Sequence, residues 1–301
     1  MNGIFDIINI PIGWILKFFN DLCNNNFALA IIFLTIVANL IVVPLSMHSQ
    51  RSTSKQARLR PKLDLLKQKF GDDKMKYNEA MQKLYAQEGV SMTGGCLPML
   101  LRLPFFIGVY NVVRSPLTYV CRLDAGIVDA AKKAVATIMN KDVLSVTELD
   151  IITHQGQLAD ETVRTAVTEA SSSVNFGLFG LDLADTPVFG MNFDAVQLIW
   201  LIPIFSFLTA MITSIVSSRI QKKLNPDAPT MGCIVFGMPI ISLVIAFSVP
   251  GAVGFYWACS NLVSGAIQVL LQLYYGPNHI IAKDQVKDTL KRYELEKKKI
   301  N

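Results

Sequence analysis

Charged side chains are scarce in this chain of 301 residues, where Asp, Glu, Lys and Arg make up 17% of the sequence. A soluble domain usually carries about 25%. Hydrophobic residues reach 51% and are concentrated in long runs. A helix needs roughly 20 mostly apolar residues to cross the hydrocarbon core of a bilayer. The composition therefore excludes an ordinary soluble domain and predicts a membrane protein.

Residues that build metal, redox and catalytic sites are also few. Five cysteines are scattered without a CxxC pair, and three histidines lie far apart, so neither type shows a metal-ligand spacing. The cysteines are interpreted as small packing residues. No Walker, nucleophile-elbow, HExxH or GxGxxG motif stands in a plausible context. The sequence thus predicts no enzyme, no cofactor and no metal.

Five apolar runs are long enough to span a bilayer, which predicts an all-α integral membrane protein. Pro250-Gly251 separates the last two runs, since proline breaks the helical hydrogen-bond ladder. Apolar residues at helical spacing over 55–88 predict a helical hairpin between the first two spans. The predicted segments are an external amphipathic segment (1–26), TM1 (27–47), the cytoplasmic hairpin (48–93), TM2 (94–119), an external loop (120–194) with helices at 125–173, TM3 (195–217), a cytoplasmic loop (218–230), TM4 (231–250), TM5 (251–275) and a basic cytoplasmic tail (276–301).

The distribution of basic residues predicts the orientation. Residues 51–93 carry ten basic and five acidic side chains, whereas residues 120–194 carry five basic and eleven acidic. Basic loops remain on the cytoplasmic side, so the first stretch is expected inside and the second outside. The N-terminus is then external and the C-terminus cytoplasmic.

The first 22 residues have neither the basic start and Ala-x-Ala site of a signal peptide nor the Arg and Ser of a transit peptide. This favours a bacterial inner, or plasma, membrane over an organelle. Their bulky apolar residues predict an amphipathic helix lying at an interface, interrupted by Pro11.

Polar residues within the predicted spans are the candidates for function. Thr35 and Asn39 are four residues apart and share one face of the first span. Arg102 lies in the second span, where a charge costs a few kcal/mol, and no predicted span carries an acidic partner. Arg102 either snorkels to the cytoplasmic surface or faces a water-filled recess that attracts acidic groups. Scattered Ser and Thr residues are interpreted as contacts between helices.

The predicted hairpin is strongly basic on its polar face. It is either a solvated amphipathic hairpin or a platform for anionic lipid head groups or for a partner such as ribosomal RNA. The candidate contact residues are Arg58, Arg60, Lys62, Lys67 and Lys69.

Five motifs, taken in order and spacing, resemble the YidC/Oxa/Alb family of membrane protein insertases, most closely its short Gram-positive-type bacterial forms. The resemblance covers nearly all of residues 10–275 except roughly 125–173, a family-atypical insertion. The motifs are TIVANLIVVPLS (35–46), KLYAQEGVSMTGGCLPMLLRLPFF (83–106), LFGLDLAD (178–185), LIPIFSFLTAMITS (201–214) and MPIISLVIAFSVPGAVGFYWACSNLVSGAIQ (238–268).

The resemblance implies five helices around a hydrophilic groove that is open to the cytoplasm and to lipid. A client would place its short polar tail in the groove, and its apolar segment would slide into lipid along spans three and five, without nucleotide hydrolysis. The partners implied are nascent membrane proteins as substrates, the ribosome, a targeting receptor, the Sec translocon and anionic lipids, but no DNA.

Two departures from the family pattern concern the groove charge. Where many members carry a basic residue in the first span this chain has Asn39, and where the family usually has glutamine in the second span it has Arg102. We hypothesise that the charge has moved across the groove, so that Asn39 and Arg102 face each other. By resemblance, Leu103, Phe106 and Trp200 line the groove or contact substrate; alternatively they are lipid-facing or core residues.

Two other function classes compete with an insertase. A folding or assembly chaperone that acts only beside a translocon has the same sequence features, and insertion into liposomes by the purified protein separates the two. A small-solute transporter often shows paired inverted halves with broken helices, and the sequence shows no such halves.

Overall fold

The structure, a computed structural model, describes residues 6–71, 73–89, 97–187, 198–224 and 232–275, with isolated positions between 282 and 297. Regular structure in these ranges is overwhelmingly helical. The helices are α1 (Asp6–Leu22), α2 (Phe27–Arg58), α3 (Arg60–Phe70), α4 (Lys74–Gln87), α5 (Leu97–Arg114), α6 (Pro116–Tyr119), α7 (Ala125–Met139), α8 (Glu148–His154), α9 (Glu161–Ser172), α10 (Leu201–Leu224), α11 (Gly232–Ala246) and α12 (Gly251–Tyr275).

Three helical segments in the described part of the chain are long and apolar enough to cross a membrane: Phe27–Ser49, Leu198–Ile220 and Gly251–Tyr274. Val235–Ala246 is a shorter apolar helix. The prediction of an all-α membrane protein is confirmed. The number of five spans, with a second span in α5, stays a prediction.

The chain divides into two compact units, each containing parts of α2, α5, α10 and α12. The first unit comprises the described residues within 1–39, 103–216 and 231–264. Its core is built where α1, α2, α5 and α12 pack together, with α10 joining through its first turn. Fully or almost fully buried side chains in this core are Leu16, Phe27, Ile31, Leu34, Val109, Val112, Val113, Ile202, Val253 and Tyr256.

Prolines shape these helices in two different ways. Pro116 lies just after the end of α5 and begins the short helix α6, as the restricted φ of proline suits a first helical position. Pro11 lies inside α1, which runs unbroken from Asp6 to Leu22. The prediction that Pro11 interrupts this helix is therefore wrong. A proline removes one backbone hydrogen bond, and the packing of α1 against the core compensates for that loss.

A hairpin of two short strands lies between α9 and the described start of α10. Strands β1 (Gly177–Leu178) and β2 (Leu181–Asp182) pair antiparallel, with Leu178 opposite Leu181. The turn residues Phe179 and Gly180 have φ of 48° and 83°, which suits a turn whose two central residues are left-handed.

The segment after this hairpin caps the start of α12. The amides of Gly251 and Ala252 donate to the carbonyls of Asp185 and Leu183, at 2.8 and 2.7 Å. These bonds satisfy donors that a helix N-terminus otherwise leaves unpaired. A Cβ on Gly251 would lie 2.9 Å from Ile199 Cδ1 and 3.3 Å from the Leu183 carbonyl oxygen, so a larger residue would displace these neighbours. The predicted break at Pro250-Gly251 is thus present, and α11 and α12 are separate helices.

Helices α7, α8 and α9 form a small module with its own apolar core, here called the α7–α9 module. Its helices begin at side-chain caps, provided by Asp124, Thr147 and Asp160. Such caps bond the free amides of the first turn. The buried core consists of Leu117, Val128, Ala131, Val135, Ala136, Val146, Ile151, Leu158, Val163 and Val167.

The second unit contains α3 and α4, which contact each other. Lys62, near the start of α3, forms an ion pair with Glu88, just past the end of α4, so ends that are distant in sequence meet. Pro61 lies in the first turn of α3. Asp73 caps α4 by accepting from the amide of Lys76, and this bond, foremost, lowers the pKa of Asp73.

Candidate functional site

The polar pair predicted on the first span lies together inside the first unit. Thr35 is fully buried and Asn39 is 7% exposed. The Thr35 hydroxyl donates to the Ile31 carbonyl at 2.7 Å, and Asn39 Nδ2 donates to the Thr35 carbonyl at 2.9 Å. Both donors are therefore satisfied by the helix that carries them, which lets α2 bury polar side chains without a partner from another helix.

The two aromatic candidates, Phe106 and Trp200, pack against the same core, and each contacts different aromatic side chains. The Phe106 ring centroid, on α5, lies 5.2 Å from that of Trp257 and 6.2 Å from that of Tyr256, both on α12. The Trp200 ring meets Phe247 edge-on at 5.5 Å. Both candidates are partly buried. Phe106 thereby joins α5 to α12, and Trp200 joins the start of α10 to the turn after α11.

The other two groove candidates occupy defined helix positions only. Arg102 and Leu103 belong to α5, immediately before Pro104, and their side chains lie outside the described residues. The hypothesis that Arg102 faces Asn39 stays a prediction. Within the described part of the chain, no group of three His, Cys, Asp or Glu side chains is placed to hold a metal ion.

A set of interhelical hydrogen bonds on α10 was anticipated only in general terms, as contacts between helices. Asn261 Nδ2 on α12 approaches the Thr209 hydroxyl at 3.5 Å. The Thr213 hydroxyl donates to the Thr209 carbonyl at 2.7 Å and approaches that of Asn261 at 3.4 Å. The Ser214 hydroxyl donates to the Val235 carbonyl on α11 at 2.8 Å. These bonds tie α10 to both neighbouring helices. The spacing of residues 209 and 213 is a signal that could have indicated this face, since residues four apart share a helix face.

Four of the five basic candidates on the second unit are exposed, and their role as partner contacts stays a prediction. Arg58, Lys62, Lys67 and Lys69 are exposed, while the Arg60 side chain lies outside the described residues. The Lys69 ammonium lies 5.2 Å from the centroid of the Phe70 ring. An exposed basic face can attract phosphate groups.

Comparison with known proteins decides the family. Residues 18–277 match the family model described as "60Kd inner membrane protein". The chain belongs to this family, which is the YidC/Oxa/Alb family that the sequence motifs resemble. The match and the apolar helices make it a multi-pass inner-membrane protein.

Two relatives of this chain carry the same name. "Membrane protein insertase YidC" of Methylococcus capsulatus is 43% identical over 111 residues, covering 37% of this chain and 20% of the relative. The protein of that name from Nitratidesulfovibrio vulgaris is 28% identical over 271 residues, covering 88% of this chain and 38% of the relative. The chain therefore spans less than two fifths of the length of these curated relatives.

Proposed function

We propose that this chain is a membrane protein insertase. It receives clients with short polar tails in a hydrophilic groove and releases their apolar segments into the bilayer, without nucleotide hydrolysis. The family match over residues 18–277 carries this proposal. Two relatives that bear the insertase name add to it, one of which aligns with 88% of this chain.

The groove would be lined by Thr35 and Asn39 of α2 and by Arg102 of α5, with Leu103, Phe106 and Trp200 contacting the client. A wet recess shortens the low-dielectric distance that a polar tail must cross. An arginine in that recess attracts an acidic tail more strongly than the same charge in bulk water. The two complementary departures from the family pattern, at Asn39 and Arg102, motivate the assignment of the charge to α5.

The client's apolar segment would leave along α10 and α12. The outward face of α10 favours this route, because a row of its large apolar side chains is 42–58% exposed at helical spacing. The bonds from Thr209, Thr213 and Ser214 hold the opposite face of α10 against its neighbours. A client segment could thus contact an apolar surface whose supporting helix stays in place. The exposed row is Leu201, Ile204, Phe205, Leu208 and Ile212.

The remaining assignments concern topology and partners. The N-terminus would lie outside and the C-terminus in the cytoplasm, together with the basic pair α3 and α4. The exposed Lys62, Lys67 and Lys69 then face the compartment in which nascent chains arrive. They would contact a ribosome, a targeting receptor or anionic lipid, and the chain would work beside the Sec translocon for some clients.

The test is insertion into liposomes that contain only this chain. Two matched single-span clients are used, one with an acidic tail and one in which each acidic residue is replaced by its amide. We expect wild type to insert both, and Arg102→Gln to lose the acidic client selectively. Asn39→Arg added to Arg102→Gln should restore it. Lys133→Gln, which removes an exposed charge from the α7–α9 module, is the control.

The outcomes distinguish a failure of the insertase proposal from a failure of the assignment of the groove charge to Arg102. If wild type inserts neither client, the insertase proposal fails and a chaperone acting beside a translocon becomes the better account. Equal insertion of the acidic client by wild type and Arg102→Gln leaves an insertase whose groove charge is not Arg102.

A further inference from the structure

Helix α1 has two contrasting faces. One is buried against the first unit and includes Asn9, Gly13 and Asn20. The other carries large apolar side chains at spacings of three and four residues, each 50–76% exposed. Residues so spaced form one stripe along a helix, so α1 presents its apolar stripe away from the protein. The stripe consists of Ile7, Ile10, Trp14, Phe18 and Leu22.

The position of α1 beside a candidate membrane span favours a place for this stripe at the edge of the membrane. Only four residues separate α1 from α2, a helix apolar enough to cross the bilayer. Phe19 of α1 stacks on Phe33 of α2, with ring centroids 5.3 Å apart. Helix α1 also contacts α6, just beyond α5, where Asn9 Nδ2 donates to the Tyr119 hydroxyl at 3.1 Å. Helix α1 therefore packs directly against the first candidate span.

A cation lies at the middle of the stripe. The Arg122 guanidinium carbon is 3.9 Å from the centroid of the Trp14 ring. Arg122 is exposed and has φ of 57°, a conformation that residues other than glycine seldom adopt. No carboxylate in the described part of the chain lies within ion-pair distance of it. Lys17, one turn along α1, is by contrast paired with Asp21 at 3.2 Å.

We propose that Arg122, stacked on Trp14, binds the phosphate of an anionic phospholipid at the membrane surface on which α1 lies. Stacking engages the flat face of the guanidinium and leaves its N–H edge available, and that edge matches two phosphate oxygens at once. Tryptophan favours the head-group level of a bilayer, so Trp14 holds the cation at the depth of the phosphates. The site does not depend on insertase activity, and its test uses no client.

The experiment measures lipid retained by the purified full-length chain. Wild type, Arg122→Gln and Lys133→Gln are incubated with equimolar phosphatidylglycerol and phosphatidylcholine, and the bound lipids are counted by native mass spectrometry. A basic residue near a membrane surface contributes roughly a fivefold preference for anionic lipid. We expect Arg122→Gln to lose about that factor and Lys133→Gln, with the same change in net charge, to behave as wild type.

Two further arms complete the test. Arg122→Lys keeps the charge but loses the planar fork, so its preference should fall between those of wild type and Arg122→Gln; it also serves if the glutamine variant does not fold. Soluble glycerol phosphate should not displace the lipid. The proposal is overturned by unchanged phosphatidylglycerol preference in Arg122→Gln or Arg122→Lys, or by displacement of the lipid with glycerol phosphate.

Discussion

The spanning helices and the α7–α9 module bury opposite kinds of side chain: α10 buries polar residues and exposes apolar ones, whereas the module buries apolar residues. In α10, Ser206 and Thr209 are at most 2% exposed while Leu208 and Ile212 are at least 50% exposed. In the module, Val135, Ile151 and Val167 are fully buried. The difference follows from the surroundings. Lipid accepts apolar side chains but offers no hydrogen bonds, so polar groups pair inside the protein, whereas water excludes apolar groups.

The two regions also differ in the groups that accept hydrogen bonds from the first amides of their helices. The module uses Asp124, Thr147 and Asp160 as side-chain caps, since short helices in water need their first amides satisfied locally. The first amides of helix α12 donate instead to backbone carbonyls of the segment that follows the β-hairpin. Buried backbone from the same chain thus takes the place of a polar cap.

The largest effect should come from placing a charge on an exposed leucine in each region. Leu208 is 50% exposed on α10 and Leu144 is 92% exposed in the module. Leu208→Asp exposes a carboxylate to lipid, at a cost of about 3–4 kcal/mol at the centre of a spanning helix. Leu144→Asp exposes it to water and should cost close to nothing. The measurement is the fraction of each variant that resists alkaline extraction from membranes; equal recovery of both contradicts the comparison.

A core truncation in the module should have a slightly smaller effect. Ile151→Ala removes a fully buried side chain and should destabilise the module by about 3 kcal/mol. The control, Leu144→Ala, shortens an exposed side chain and should be neutral. Hydrogen exchange of residues 125–172 measures both. If the two variants exchange alike, the module has no core of its own.

Sequence periodicity predicted the elements of both regions better than their contacts. Long apolar runs defined α2, α10 and α12, because the bilayer sets a minimum length. Helices were predicted within 125–173, and α9 there is capped by Asp160. The pairing of Thr209 with Asn261 and of Phe106 with Trp257 was not predictable, since these partners are separated by many residues and depend on how the helices pack. The contact of Arg122 with Trp14 was not predictable either, because a single arginine in a loop shows no periodicity that would indicate its partner.

Glu148 is a residue whose burial its position in the sequence does not indicate. An acidic residue at the start of a helix is expected in water, yet Glu148 is 1% exposed. Its two carboxylate oxygens accept from the amide and hydroxyl of Thr118, at 2.9 and 2.5 Å. The carboxylate therefore joins α8 to α6 through a polar contact that is buried beside the apolar core of the module.

Removing this contact should have an intermediate effect and a pH dependence. Burial raises the pKa of Glu148, opposed by the Thr118 hydrogen bonds and by the charge of Lys132. The folded module then holds the proton more tightly than the unfolded chain. The resulting stability is fully present below the unfolded pKa and is lost as the pH rises through the folded pKa. Glu148→Ala, which leaves the Thr118 donors unpaired, should cost about 2 kcal/mol.

Glu148→Gln separates the charge from the contact. The amide keeps an acceptor for Thr118 but cannot titrate. The stability of the module, obtained from hydrogen exchange after correction for the intrinsic rates at each pH, should therefore fall less with rising pH than it does in wild type. A wild-type module that becomes more stable as the pH rises through the mildly acidic range would contradict the raised pKa.

The smallest effect should come from the hydrogen bonds between spans. Asn261→Leu removes the contact with Thr209, and such bonds between membrane helices average about 0.6 kcal/mol. The value is small because the helices find other polar partners when they separate within the bilayer. Ser248→Ala, at an exposed serine after α11, is the control. Thermal unfolding in detergent measures both variants. A loss for Asn261→Leu as large as that of Ile151→Ala would mean that polar contacts in the spans stabilise this protein as much as apolar burial does in the module.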